Sequence, residues 1–202
     1  MRKYVIFFYI LLLGFWANAQ KYSIDIVTED LPNRLAFYAL NQNEKDLDVL
    51  LTIKGSNFRQ STGRPRYVRV PATSKVLMKT IVLIRGKKPS YNVEIKINDS
   101  LSSRSMVKEY EEIKIPPPKN IVVYITKSCL SCDSLVSALG SSKYTFSQFN
   151  IEQEASLSEQ LQMSFGPEIS LDSINTPILN IGGKLYTDLD SFEMVMKEVR
   201  KP

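Results

Sequence analysis

Histidine is absent from this chain of 202 residues. Hydrolase triads that use an imidazole base are therefore excluded. There are two cysteines, Cys129 and Cys132, so no disulfide framework staples the chain. Without histidine they supply half of a tetrahedral zinc site, which would need carboxylates or a second chain to complete it, and no metal is expected. Internal repeats and low-complexity tracts are also missing, and the composition is that of an ordinary soluble globular protein. The apolar run from Tyr4 to Trp16 is 13 residues long, short of the roughly 20 needed to span a bilayer.

That run has the form of a secretory signal. Arg2 and Lys3 precede it, and Ala17-Asn18-Ala19 follows as an A-x-A cleavage site. Residues 1–19 are read as a signal peptide and the mature chain as starting at Gln20, exported to the periplasm or secreted. No cysteine lies near the cleavage site, which speaks against a lipid-modified N-terminus. Export permits a stable disulfide. About 180 residues remain, enough for two small domains with cores of their own.

Charge divides unevenly. Residues 20–115 carry 17 Lys+Arg against 11 Asp+Glu, a balance of +6, whereas residues 116–202 carry 7 against 10, a balance of −3. Between the two stretches stands Pro116-Pro117-Pro118, which favours an extended segment and reads as a linker. Before it the pattern has period two. Tyr22, Ile24 and Ile26 alternate with polar residues, as do Tyr91, Val93, Ile95 and Ile97. Runs at 35–40, 49–53, 67–70, 76–84 and 106–115 raise the count to about seven strands. Seven short strands without a strong helix predict an antiparallel β-sandwich over residues 20–115, similar in architecture to immunoglobulin and fibronectin type III modules. The Cys-Trp-Cys signature of immunoglobulins is absent, the one tryptophan being Trp16.

After the prolines strands and helices alternate. Residues 121–125 form a buried-strand candidate, and Cys132 to Leu139 follows as a helix stopped by Gly140. Tyr144 to Ile151 reads as the next strand. Ser156-Leu157-Ser158-Glu159 fits a capping box opening a second helix. Ile178 to Ile181 and Lys184 to Tyr186 make a hairpin about Gly182-Gly183. Asp190 and Glu193 cap a last helix with Phe192, Val195, Met196 and Val199 on one face. The order is β-α-β-α-β-β-α.

Cys129-Leu130-Ser131-Cys132 sits between the first of these strands and its helix, where exposed backbone N–H groups and the helix dipole favour a thiolate. Together with Asn175-Thr176-Pro177 about 45 residues later, this arrangement resembles the thioredoxin superfamily, and within it the glutaredoxins. The resemblance covers residues 119–202. It implies an α/β thioredoxin or glutaredoxin fold there, with Cys129 as nucleophile and Cys132 as the resolving cysteine. It implies a cis peptide bond before Pro177, with Thr176 and Pro177 beside the dithiol to pair with a substrate peptide. Lys127 falls where glutaredoxins often carry a lysine, a thiolate stabiliser. Two features depart from the pattern. Thr187-Asp188 stands where glutathione-using members have a second Gly-Gly, which puts glutathione in doubt, and Leu130-Ser131 replaces the usual intervening dipeptides.

The functional expectation is an exported thiol–disulfide oxidoreductase without a cofactor, acting on disulfide- or dithiol-containing proteins. The lack of an imidazolium favours a reductase or isomerase over a strong oxidase. The competing expectation is a non-catalytic cell-envelope binding protein with a structural disulfide. The basic residues Lys54, Arg59, Arg64, Arg66 and Arg69 have two readings, an acidic partner or membrane surface, and a solvated strand-and-loop face. Few aromatics interleave them, which speaks against nucleic acid. The sandwich is the part expected to bind another envelope protein or surface.

Overall fold

The computed structural model describes residues 22–167 and 169–201. The signal segment and its cleavage site lie outside the described residues. The described chain divides into two compact units, one holding the residues up to Ala72 with Val76–Glu109, the other Thr73–Lys75 with the residues from Tyr110 onward.

The first unit consists of strands: β1 (Asp25–Leu31), β2 (Arg34–Asn41), β3 (Leu47–Ser56), β4 (Phe58–Arg59), β5 (Val68–Val70), β6 (Ser74–Leu83, of which the first unit holds the part from Val76), β7 (Ser90–Asn98) and β8 (Met106–Val107). One sheet runs in the order β1-β2-β6-β4 and another in the order β7-β3-β5-β8. Alternation within the strands builds the core between them. Leu35, Phe37 and Ala39 of β2 and Leu47, Val49, Leu51 and Ile53 of β3 are all buried in one cluster with Val68, Val70, Val76, Met78 and Ile81. Period-two sequence thus becomes a two-layer core.

Gly55, near the end of β3, has no room for a side chain. A Cβ there would lie 2.0 Å from the carbonyl oxygen of Ser90 on the paired strand β7. Because the obstacle is main chain, it cannot rotate away. Gly55→Ala is expected to pry open this end of the ladder and cost about 1–3 kcal/mol, read as a lower urea midpoint of unfolding.

The second unit opens with β9 (Tyr110–Glu112) and continues with β10 (Ile121–Ile125), α1 (Cys132–Gly140), β11 (Ser147–Asn150), α2 (Ala155–Phe165), a 3-10 turn (Leu171–Ser173), β12 (Ile178–Ile181), β13 (Lys184–Tyr186) and α3 (Phe192–Val199). Its sheet has the order β11-β10-β12-β13, with β10 and β11 parallel and the other neighbours antiparallel. The unbroken apolar run of β10 has a simple reason, since both of its faces are covered. Ile121 and Val123 join Leu135 and Leu139 of α1 and Val195, Met196 and Val199 of α3. Tyr124 joins Ile178, Leu161 of α2 and Leu171 on the other face. Within the triproline stretch Pro117 is buried, and the preceding Ile115 bridges Tyr144 and donates its N–H to the Lys143 carbonyl.

These findings correct the expected fold class. Among the described residues the structure is mostly β, 41% strand against 16% helix, with three helices and several sheets, and an α/β thioredoxin or glutaredoxin fold is not shown. The N-terminal unit is not wholly antiparallel either, because β5 and β8 pair in parallel. Local periodicity identifies a strand but leaves its partner and direction to long-range packing. Both expected caps also shift. The second helix starts at Ala155, ahead of the Ser156 capping box, and the last is capped from Ser191 rather than Asp190, neither with a side-chain capping bond.

Candidate functional site

β10 ends at Ile125, and the turn from Thr126 to Ser131 carries the chain to Cys132, the first residue of α1. Hydroxyl residues in this turn determine its course. The Thr126 Oγ1 hydroxyl donates to the Ile174 carbonyl at 3.1 Å, and the Ser128 Oγ hydroxyl donates to the same carbonyl at 3.0 Å. The Leu130 N–H donates to the Asn175 carbonyl at 3.0 Å, while the Cys129 N–H closes on the Thr126 carbonyl at 3.3 Å. The turn is therefore stitched to residues 174–175, nearly fifty positions later in the chain.

Cys129 and Cys132 are joined by a disulfide, with their Cα atoms 5.7 Å apart. Their surroundings differ. Cys132 is 2% exposed, Cys129 is half-buried, and Leu130 between them is 88% exposed. An incoming nucleophile thus reaches the Cys129 sulfur before that of Cys132. Both sulfurs lie at the N-terminal end of α1, where Ser131 makes no side-chain capping bond and the first-turn amides retain their partial positive charge. That end favours a thiolate on either sulfur. Asp133, exposed in the same turn, opposes it.

The other expected site residues fall as follows. Lys127 is exposed on the turn and has no ion-pair partner among the described residues. The Thr176 hydroxyl donates to the Thr187 carbonyl, which ties the segment before β12 to the chain beyond β13. Pro177 is buried immediately before β12, where a residue without an N–H costs no ladder bond. The expected cis bond is corrected. Among the described residues no peptide bond is cis, so Thr176–Pro177 is trans, the ordinary preference of an X–Pro bond. The fold brings Cys129, Cys132, Thr176 and Pro177 into one neighbourhood through the Leu130–Asn175 bond. Sequence reasoning gave no site role to Thr126, Ser128 and Asn175, which shape the turn; two hydroxyl residues in a turn are backbone-bonding types, but their partner at Ile174 is set by the tertiary path. Among the described residues no three His, Cys, Asp or Glu side chains are grouped to hold a metal ion.

No protein family matches the chain, and neither a curated protein nor a solved structure is similar to it.

Proposed function

We propose that this chain is an exported thiol–disulfide oxidoreductase, in which Cys129 is the nucleophile and Cys132 the resolving thiol. The observation that carries the reading is the unequal exposure of the two cysteines at one helix end. In the reducing direction, the Cys129 thiolate attacks a substrate disulfide. The substrate S–S bond breaks, a mixed disulfide forms, and one substrate thiolate leaves. Cys132 then attacks the Cys129 sulfur and expels the second substrate thiolate. The protein is left with the Cys129–Cys132 disulfide and the substrate with two thiols, a transfer of two electrons. A dithiol reductant must return the pair to its reduced form. The helix N-terminus and Lys127 are the groups that lower the thiolate's energy, and the segment around Thr176 and Pro177 is where an extended substrate lies. Export follows from the N-terminal segment. The first unit serves to bind or position a partner.

Equilibration of the mature protein in defined thiol/disulfide buffers, with free thiols trapped, tests this reading. A potential between about −120 and −270 mV is expected, the span of catalytic dithiols, and one below about −300 mV would favour a structural disulfide instead. After reduction, limiting alkylation read by peptide mass spectrometry should modify Cys129 well before Cys132.

A further inference from the structure

The first unit contains a cavity of about 560 Å³ lined by residues from both its sheets. Arg64 and Arg66 enter it from the loop before β5, Lys79 from β6 and Lys108 from the segment after β8. No acidic residue lines it, and none of the four cations has an ion-pair partner among the described residues. Four unpaired positive charges about one concavity create an attractive field for an anion. The volume lies in the range of about 300–1,000 Å³ typical of ligand sites.

The strand edges here say what form the anion takes. β5 covers β3 only at Leu47–Val49, and among the described residues that side of β3 has no other strand neighbour, so its edge over residues 50–52 is open beside the cavity wall at Leu51. At the other end of this stretch the Gln60 side-chain amide donates to the Ile53 carbonyl. On β6, the carbonyls of Leu77 and Met78 both accept from the Lys108 ammonium, each at 2.9 Å, which holds that cation at the cavity wall. A short length of exposed edge bordered by cations matches an extended chain with alternating acidic side chains.

We propose that this cleft binds an extended acidic segment of a partner polypeptide, which adds to the open edge of β3 and sets its carboxylates against Arg64, Arg66, Lys79 and Lys108. The site is separate from the dithiol and stands whether or not the redox reading holds. It also divides the basic residues of the sequence. Arg69 is committed to Asp48 and Lys54 to Glu94, whereas Arg64 and Arg66 are available to a ligand.

The test uses the mature full-length chain and a fluorescein-labelled hexapeptide alternating glutamate and valine, followed by fluorescence anisotropy. Saturable binding is expected, weakened about tenfold or more by R64E/R66E and also by K79E, which tests a different element. Both variants change exposed or half-exposed side chains and should keep the parent's thermal midpoint. Binding should fall with added salt and be unchanged in C129S/C132S. Equal binding of a peptide alternating lysine and valine, or undiminished binding in both charge-reversal variants, would overturn the proposal. So would a cleft that takes dodecanoate but not the acidic peptide, since that would make it a site for lipid anions.

Discussion

Cys129→Ser is expected, on the proposed oxidoreductase reading, to lower disulfide reductase activity by more than about a hundredfold, because it removes the atom that would form the mixed disulfide while leaving the turn in place. The turn is held by bonds that do not involve the sulfur: Thr126 and Ser128 to the Ile174 carbonyl, and the Leu130 N–H to the Asn175 carbonyl. The fold should survive. Relative to the oxidised protein the variant loses the cross-link, worth about 2 kcal/mol for so short a loop. Relative to the reduced protein its stability should be unchanged. Cys132→Ser gives a different signature. Cys129 can still attack but nothing resolves the product, so a mixed disulfide with substrate accumulates and is visible on a non-reducing gel. Turnover retained in Cys129→Ser, or a trapped adduct on Cys132 in that variant, would overturn the assignment of nucleophile. Thus the two substitutions separate a catalytic dithiol from a structural one.

Asp48→Asn is expected to destabilise the first unit by about 2–4 kcal/mol, a fall of roughly 10 °C or more in its thermal midpoint. Asp48 is fully buried, and directly opposite it on β5 stands Arg69, whose guanidinium donates to the carboxylate at 3.1 Å. The Ser102 N–H donates to the other oxygen, and Arg69 also reaches the Ser102 carbonyl at 2.8 Å. One carboxylate therefore joins β3, β5 and the chain leading to β8. Burial pushes the Asp48 carboxyl upward, but the bonds from Arg69 and Ser102 outweigh it and hold the group below the ordinary carboxylate value. A group whose folded value is depressed stabilises the fold above its unfolded value, about 3.9 for aspartate, and that contribution is lost as pH falls through the folded value. The native protein should lose this contribution on acidification below about pH 4, and Asp48→Asn should lack that part of the decline. Urea titrations at pH 7 and pH 3 measure the difference. Equal midpoints for the two proteins at pH 7 would show that the ion pair adds nothing.

How legible the molecule is from its sequence varies with the range of the interaction. β10 is found at 121–125 as expected, because a run of large aliphatic residues buried on both faces needs no partner to be recognised. The first helix starts at Cys132 for a similarly local reason. By contrast, the capping pattern at Ser156 resembles a helix start, yet the observed helix begins before it. The parallel pairing of β5 with β8 departs from the expected antiparallel sandwich, and the trans Thr176–Pro177 bond departs from the expected cis isomer. Neither is encoded by neighbours in sequence. The site shows the same division. Cys129 and Cys132 were evident from spacing alone, whereas the bonds from Thr126, Ser128 and Leu130 to residues 174–175 required the tertiary path.

By itself, then, the sequence determined the dithiol, the period-two strands, the helix that begins at the second cysteine and the excess of positive charge before the prolines. These depend on residues within a few positions of each other. The tertiary structure decided which cysteine is exposed, that a trans Pro177 lies beside the turn, that Arg69 is spent on buried Asp48, and that Arg64 and Arg66 share a cleft with Lys79 and Lys108. Each of these depends on which distant segments pack together, and burial and charge pairing are properties of that packing rather than of any one stretch of chain.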